Sequence, residues 1–236
     1  MARARAVDAE RANGKFRGAL HGIPLARKDC FEIQGHAATV GSRARPVVPA
    51  AREARVIRLL NDAGAVTVGV LNMSEMVAGP TGQNPSFRDC CNALDPSRIS
   101  GGSSSGSGSA VAPGAIFASI GSDTGGSIRL PASVHGLFGL KPTWTLLSRR
   151  AAWPCWISRA RTPAIRKSPL PIPVPLRADA DMEKAGGVCN VVTQLTRLTR
   201  PFSYLGLPVL SMPAGWAWRP DLHAAGMRGH IDISLI

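Results

Sequence analysis

Aromatic residues are scarce in this chain. One Tyr, six Phe and five Trp make up 5% of its 236 residues. A folded chain of this size buries roughly 70% of its unfolded surface, so Ala, Val, Leu and Ile have to fill the core. Long apolar runs are missing too. None reaches the ~18 residues that a bilayer-crossing helix needs, and no membrane span is expected. The basic N-terminal stretch 1–18 has no apolar segment behind it, so a secretory signal is not expected either. Cys30, Cys90, Cys91, Cys155 and Cys189 are odd in number and include no CxxC pair. This argues against a disulfide framework and points to reduced thiols in a cytoplasmic protein. Cysteines and histidines do not cluster at ligand spacing, so no metal is expected.

Acidic residues are also few: 15 against 28 basic ones, a formal charge of +13. Such an excess can mark a nucleic-acid partner, but its distribution speaks against one. Residues 149–177 carry seven basic residues and no acidic one, together with Pro154, Pro163, Pro169, Pro171, Pro173 and Pro175. Neither helical nor alternating periodicity runs through this tract, and Trp153 and Trp156 are its aromatic residues. Its composition is that of a poorly ordered segment. No nucleic-acid partner is expected, and a homo-oligomer is left open.

The rest of the chain has regular patterns. "RARAVDAERA" reads as part of an exposed helix. Residues 20–33, "LHGIPLARKDCFEI", read as a turn leading into a short strand. In residues 51–62, Val56, Ile57 and Leu60 share one helical face and Gly64 supplies a stop. "AVTVGVLNM" (65–73), "AIFASI" (115–120) and "LFGLKPT" (137–143) read as strands. A helix–Gly–strand unit of this kind argues for an α/β fold. Helix-like and then strand-like character returns at 191–213.

Residues 101–129, "GGSSSGSGSAVAPGAIFASIGSDTGGSIR", have the composition of a Gly/Ser linker. Their arrangement differs from one. A flexible linker avoids large apolar residues, and this run is interrupted by "AVAPGAIFASI". A glycine pair directly before a serine exposes several backbone N–H groups beside a hydroxyl, which is one way to build an oxyanion hole. A serine nucleophile needs a base. His21, His36, His135, His223 and His230 lie in turn-like or polar contexts that suggest no Ser-His-Asp triad, and there is no G-x-S-x-G elbow. Lysine is the other option, and it works as a base only when neutral. Lys28 lies between apolar flanks on the edge of an expected strand; by default it is a surface lysine paired with Asp29.

Together, "LHGIPLARKD", "DPSRISGGSSSGSGSAVA", "GSDTGGSIRLPASVHGLFGLKPT" and "PFSYLGLPVLSMP" resemble the amidase signature family, over nearly all of residues 1–153 and again over about 192–216. The resemblance implies an α/β fold with a mixed β-sheet core flanked by helices, here incomplete. It implies a Ser–cis-Ser–Lys triad, with Lys28 as base, Ser103 as bridging serine and Ser127 as nucleophile. The bridging serine follows a cis peptide bond in that family, here Gly102–Ser103. The N–H groups of Thr124, Gly125, Gly126 and Ser127 match the oxyanion loop, and Ser104 matches a serine hydrogen-bonded near the site. Ser105 stands where a glycine is usual and is expected to crowd a tight backbone. The implied reaction is hydrolysis of a small-molecule carboxylic amide through an acyl-serine intermediate, with no cofactor.

Family members are longer than this chain, and the region between the nucleophile segment and the "GLPVLSMP"-like segment is larger in them. Three parts are expected: a catalytic core over 1–148, an atypical basic, proline-rich segment over 149–186, and the remnant of the C-terminal part of the core over 187–236. An internal deletion or reading-frame disturbance between about 155 and 188 accounts for this division and predicts that 150–186 do not pack. Lost covering segments are expected to leave Lys28 solvated. Two alternatives to an amidase follow: a truncated, inactive amidase-like fragment, or a protein resembling the amidotransferase component that supplies ammonia for glutaminyl-tRNA formation.

Overall fold

A computed structural model describes residues 1–143, 146, 164–167, 181–184, 187–190, 196, 199 and 207–212. The chain opens with helix α1 (Ala2–Ala12), then strand β1 (Pro24–Lys28), helix α2 (Arg55–Asp62) and strand β2 (Val66–Leu71). Helix α3 (Ser105–Val111), strand β3 (Ala118–Ile120), helix α4 (Arg129–Val134) and strand β4 (Leu137–Lys141) follow. Four more strands are described: β5 (Ala164–Lys167), β6 (Asp181–Lys184), β7 (Gly187–Asn190) and β8 (Val209–Ser211).

Six strands form one mixed sheet in the order β2-β1-β3-β5-β4-β8. Strand β1 pairs in parallel with both β2 and β3, bringing Lys28 beside Leu71 and Arg27 beside Ile120. The pairs β3–β5, β5–β4 and β4–β8 are antiparallel. Strands β6 and β7 make a separate hairpin. Of the tract 149–186, the described residues are 164–167, which pair inside the main sheet, and 181–184. The expectation of an unpacked segment otherwise lies outside the described residues, as does most of 187–236.

Side chains alternate across a strand, and β1 shows what this does here. Leu25 and Ala26 enter different apolar clusters. Ala26 packs with Val111 and Ala112 at the end of α3, with Ile128 and Ala132 of the α4 region, and with Leu137. A further cluster gathers Phe31, Val40, Val56, Ile57, Met73 and Ile120 around α2. Aliphatic residues fill these cores, as the scarcity of aromatics requires; Phe31 is the one aromatic side chain among the buried hydrophobic residues described.

The Gly/Ser run becomes α3 and its approach, and residues 101–108 are all buried. Such a sequence is a poor helix former, so tertiary packing has to hold it. Gly108 shows why the residues are small: a Cβ there would lie 2.6 Å from His135 Nδ1 and 3.1 Å from the Pro131 carbonyl. The short helix α4 follows the Gly-Gly-Ser loop directly, a helix that periodicity alone does not suggest.

Candidate active site

Open α/β sheets place ligands beyond the carboxyl ends of their parallel strands. Lys28 is the last residue of β1, and Gly121, Ser122 and Asp123 follow the last residue of β3. These two neighbouring ends, with the approach to α3, bring the sequence-predicted groups together. Lys28 is 0% exposed, so the expected solvated lysine is not observed. Its Nζ lies 2.7 Å from Ser103 Oγ and 2.9 Å from Ser122 Oγ. The Gly102–Ser103 peptide is cis. Main-chain bonds fix its surroundings: Gly102 N–H donates to the Pro80 carbonyl at 2.7 Å, and Ser74 N–H to the Ser103 carbonyl at 3.1 Å.

Ser104 ties this segment to the nucleophile loop. Its N–H donates to the Ser127 carbonyl at 3.1 Å, and its hydroxyl to the Ser122 carbonyl at 3.2 Å. Ser127 is half-buried. Among the described residues, no hydrogen bond joins its hydroxyl to Ser103 or Lys28. Ser105 is fully buried, and its hydroxyl has no partner among the described residues.

Asp123 organises the loop that contains Thr124, Gly125, Gly126 and Ser127. Its carboxylate accepts the N–H of Gly126 at 2.9 Å, of Ile128 at 3.2 Å and of Arg129 at 3.3 Å. It also takes a two-point bond from the Arg129 guanidinium, with Nε at 2.9 Å and Nη2 at 2.8 Å. Both side chains are buried. Burial alone raises the Asp123 carboxyl; the Arg129 charge and these hydrogen bonds override it and hold the group below the ordinary carboxylate range.

The oxyanion expectation therefore divides. Gly126 N–H is spent on Asp123. The N–H groups of Thr124, Gly125 and Ser127 meet no acceptor among the described residues. The Thr124 hydroxyl is buried without a partner among the described residues. A Cβ on Gly125 would meet nothing within 4 Å, so this part of the loop borders open space.

Sequence reasoning assigns no role to Ser122, Asp123 or Arg129, although "GSDTGGSIR" contains all three. Thr199 is missed as well; it reaches this loop from a distant segment with no local signal. Cys30, beside the site, has its Sγ 3.8 Å from Ser122 Oγ, and burial pushes its thiol up. A hollow of about 700 Å³ lies near Asp29, Val70 and Phe87, and Lys28, Ser103 and Ser127 do not line it. Among the described residues no three His, Cys, Asp or Glu side chains gather as a metal site, and no helix is long and apolar enough to cross a membrane.

Fold and site together define a class of α/β proteins in which a lysine and serines from distant segments meet beyond parallel strand ends. The chain belongs to the amidase family, whose model matches residues 1–162. It is similar to a 1-carboxybiuret hydrolase subunit of Pseudomonas sp. (strain ADP), 46% identical over 154 residues, 65% of this chain and 34% of that protein. It is also similar to the A-type subunit of the glutamyl-tRNA(Gln) amidotransferase of Anaeromyxobacter sp. (strain K), 47% identical over 148 residues, 63% of this chain and 30% of that one. The chain thus spans about a third of the length of the curated relatives it matches. A solved amidase structure superposes with a TM-score of 0.85 at 25% identity, covering 96% of this chain and 83% of that one.

Proposed function

We propose that this chain hydrolyses a carboxylic amide C–N bond through an acyl-serine intermediate. The observation that carries the reading is the buried Lys28–Ser103 contact of 2.7 Å beyond the strand ends. In this reading Lys28 takes the Ser103 proton and Ser103 takes that of Ser127. The Ser127 Oγ attacks the amide carbonyl, and the oxyanion is met by the free N–H groups of the 124–127 loop. The tetrahedral species collapses with proton return to the leaving nitrogen, and water then releases the acid. Ser127 and Ser103 draw together when substrate arrives, because catalytic hydrogen bonds often tighten only in the substrate complex. Family membership supports the reaction type. The substrate is a small-molecule amide, the location cytoplasmic, and the working unit the three-part chain of 1–148, 149–186 and 187–236.

A second reading, the glutamine-hydrolysing role in an amidotransferase, is favoured by the 47% identity to an amidotransferase component. In it, Ser127 takes the acyl group of glutamine and releases ammonia to a partner.

Treatment of the purified chain with a fluorophosphonate serine probe, with the modified site mapped by mass spectrometry, tests the reading. Label on Ser127 that disappears in Lys28→Ala is the expected result. A folded chain that takes no label overturns it in favour of an inactive fragment. Ammonia release from glutamine only when a partner protein is present favours the second reading.

A further inference from the structure

The peptide unit between Gly125 and Gly126 is held at both ends. Its carbonyl accepts the Thr199 hydroxyl in a short hydrogen bond, and its N–H donates to Asp123 Oδ1 at 2.9 Å. The contacts close into a ring. Thr199 offers its own carbonyl to Arg129 Nη1 at 3.0 Å, and Arg129 pairs with the same Asp123 carboxylate. Asp123 and Arg129 are buried, and so is Thr199. The Thr199 hydroxyl is also 3.2 Å from the Thr196 carbonyl, which anchors it on its own segment.

The two glycines face different surroundings. A Cβ on Gly126 would lie 2.7 Å from Thr199 Oγ1, and its φ of +132° is one that side-chain-bearing residues rarely adopt. Gly125 fronts open space instead. The loop therefore has a solid back, made by Thr199 together with Leu130, and an open front, where the N–H groups of Thr124, Gly125 and Ser127 have no acceptor among the described residues.

We propose that Thr199 is a positioning residue for acyl transfer: by pinning the Gly125 carbonyl it fixes the direction of the flanking N–H groups that meet the oxyanion. The inference rests on the reading of Ser127 as nucleophile. A peptide held at both its oxygen and its N–H cannot swing about the line joining its two Cα atoms. The neighbouring peptides, which carry the Gly125 and Ser127 N–H groups, then keep one orientation. Donors fixed in advance need no reorganisation as charge develops. Thr199 is 74 residues from Gly125 in sequence, so the rear wall of the loop comes from the far side of the atypical tract. This gives the short family-like return at 191–213 a mechanistic purpose.

The test compares the wild-type chain with Thr199→Val, which keeps the shape and removes the hydroxyl, and Thr199→Ser, which restores the hydroxyl. Two readouts are taken: amide hydrogen exchange over residues 121–130, and the fluorophosphonate labelling rate of Ser127 as a function of probe concentration. Thr199→Val is expected to exchange faster over 121–130. It is also expected to lower the limiting labelling rate by about tenfold, a fraction of the 10²–10³ that outright loss of a donor costs, with the half-saturating probe concentration unchanged. Thr199→Ser is expected to recover both. If the valine variant fails to fold, Thr199→Cys, a weak donor, carries the same expectations. Unchanged exchange, an unchanged limiting rate, or a serine variant that recovers neither overturns the proposal. Absence of label on wild-type Ser127 sinks the amidase reading instead, and the clamp is then judged on the exchange data alone.

Discussion

Lys28 Nζ and Ser103 Oγ lie 2.7 Å apart although 75 residues separate them in the chain. The first sits at the end of a central parallel strand and the second beside a cis peptide. If the pair relays a proton, Lys28→Ala and Ser103→Ala each lower Ser127 labelling by at least ~100-fold, the usual scale of general-base catalysis. Labelling time courses on variants of matched folded fraction measure this. Retention of more than a third of the rate in either variant shows that the relay is not used.

The Asp123–Arg129 pair is predicted to dominate loop stability. Asp123→Asn leaves a buried guanidinium without its counter-charge, which costs about 3–5 kcal/mol. The native carboxyl is held below its ordinary value. Its contribution is therefore complete above the unfolded carboxylate range near 3.9 and is lost as pH falls through the lower folded value. Urea unfolding below about pH 4 should show this further acid loss in the wild type and not in Asp123→Asn.

His135 predicts a separate window at milder pH. It is buried, receives the Ala93 N–H on Nε2 at 3.3 Å, and places Nδ1 2.9 Å from the Pro131 carbonyl. Burial is the main cause that lowers its pKa from 6.5 to about 4. The unfolded chain takes up a proton below pH 6.5 and the native chain does not. Stability therefore falls as pH drops from 6.5 to about 4, by up to about 3 kcal/mol. His135→Gln is expected to flatten that slope, and an identical slope in the variant would assign the effect to other groups.

Arg27 is the opposite case, a charge whose removal should help. It is 1% exposed, donates Nη1 to the Phe31 carbonyl, and has no partner for Nε among the described residues. Burial lowers its pKa. Arg27→Met keeps most of the volume and removes the desolvated charge, and it is expected to gain about 1 kcal/mol or more. A loss of stability in thermal unfolding would show that the guanidinium's remaining contacts outweigh its burial.

The local signals were legible where one pattern decided the outcome. Val56 and Ile57 on one face gave α2, and the apolar run before Asn72 gave β2, each within a few residues of the observed bounds. The strand before Ser122 reads too long, because "AIF" resembles a strand interior, and Phe117 in fact lies before β3 and is half exposed. Lys28 and Ser103 came from motif resemblance, and the structure puts them in contact. Ser122 does not stand out in the sequence, since a second hydroxyl on Lys28 depends on the β1–β3 pairing and on no spacing within the motif. The same holds for Thr199, whose partner is 74 residues away. Gly126 matches an oxyanion donor by motif, and its N–H goes to Asp123 instead, a choice set by the turn of the loop.

The Thr199–Gly125 contact also sets an order in time. A chain made from its N-terminus at 5–20 residues per second carries Ser127 for roughly 4–15 s before residue 199 is added. During that interval the nascent loop has Asp123, Arg129 and Leu130 but not the hydroxyl that pins the Gly125 carbonyl. The site is therefore finished late in synthesis, and a ribosome stalled between these two positions holds a serine loop whose Gly125 carbonyl has not yet met Thr199.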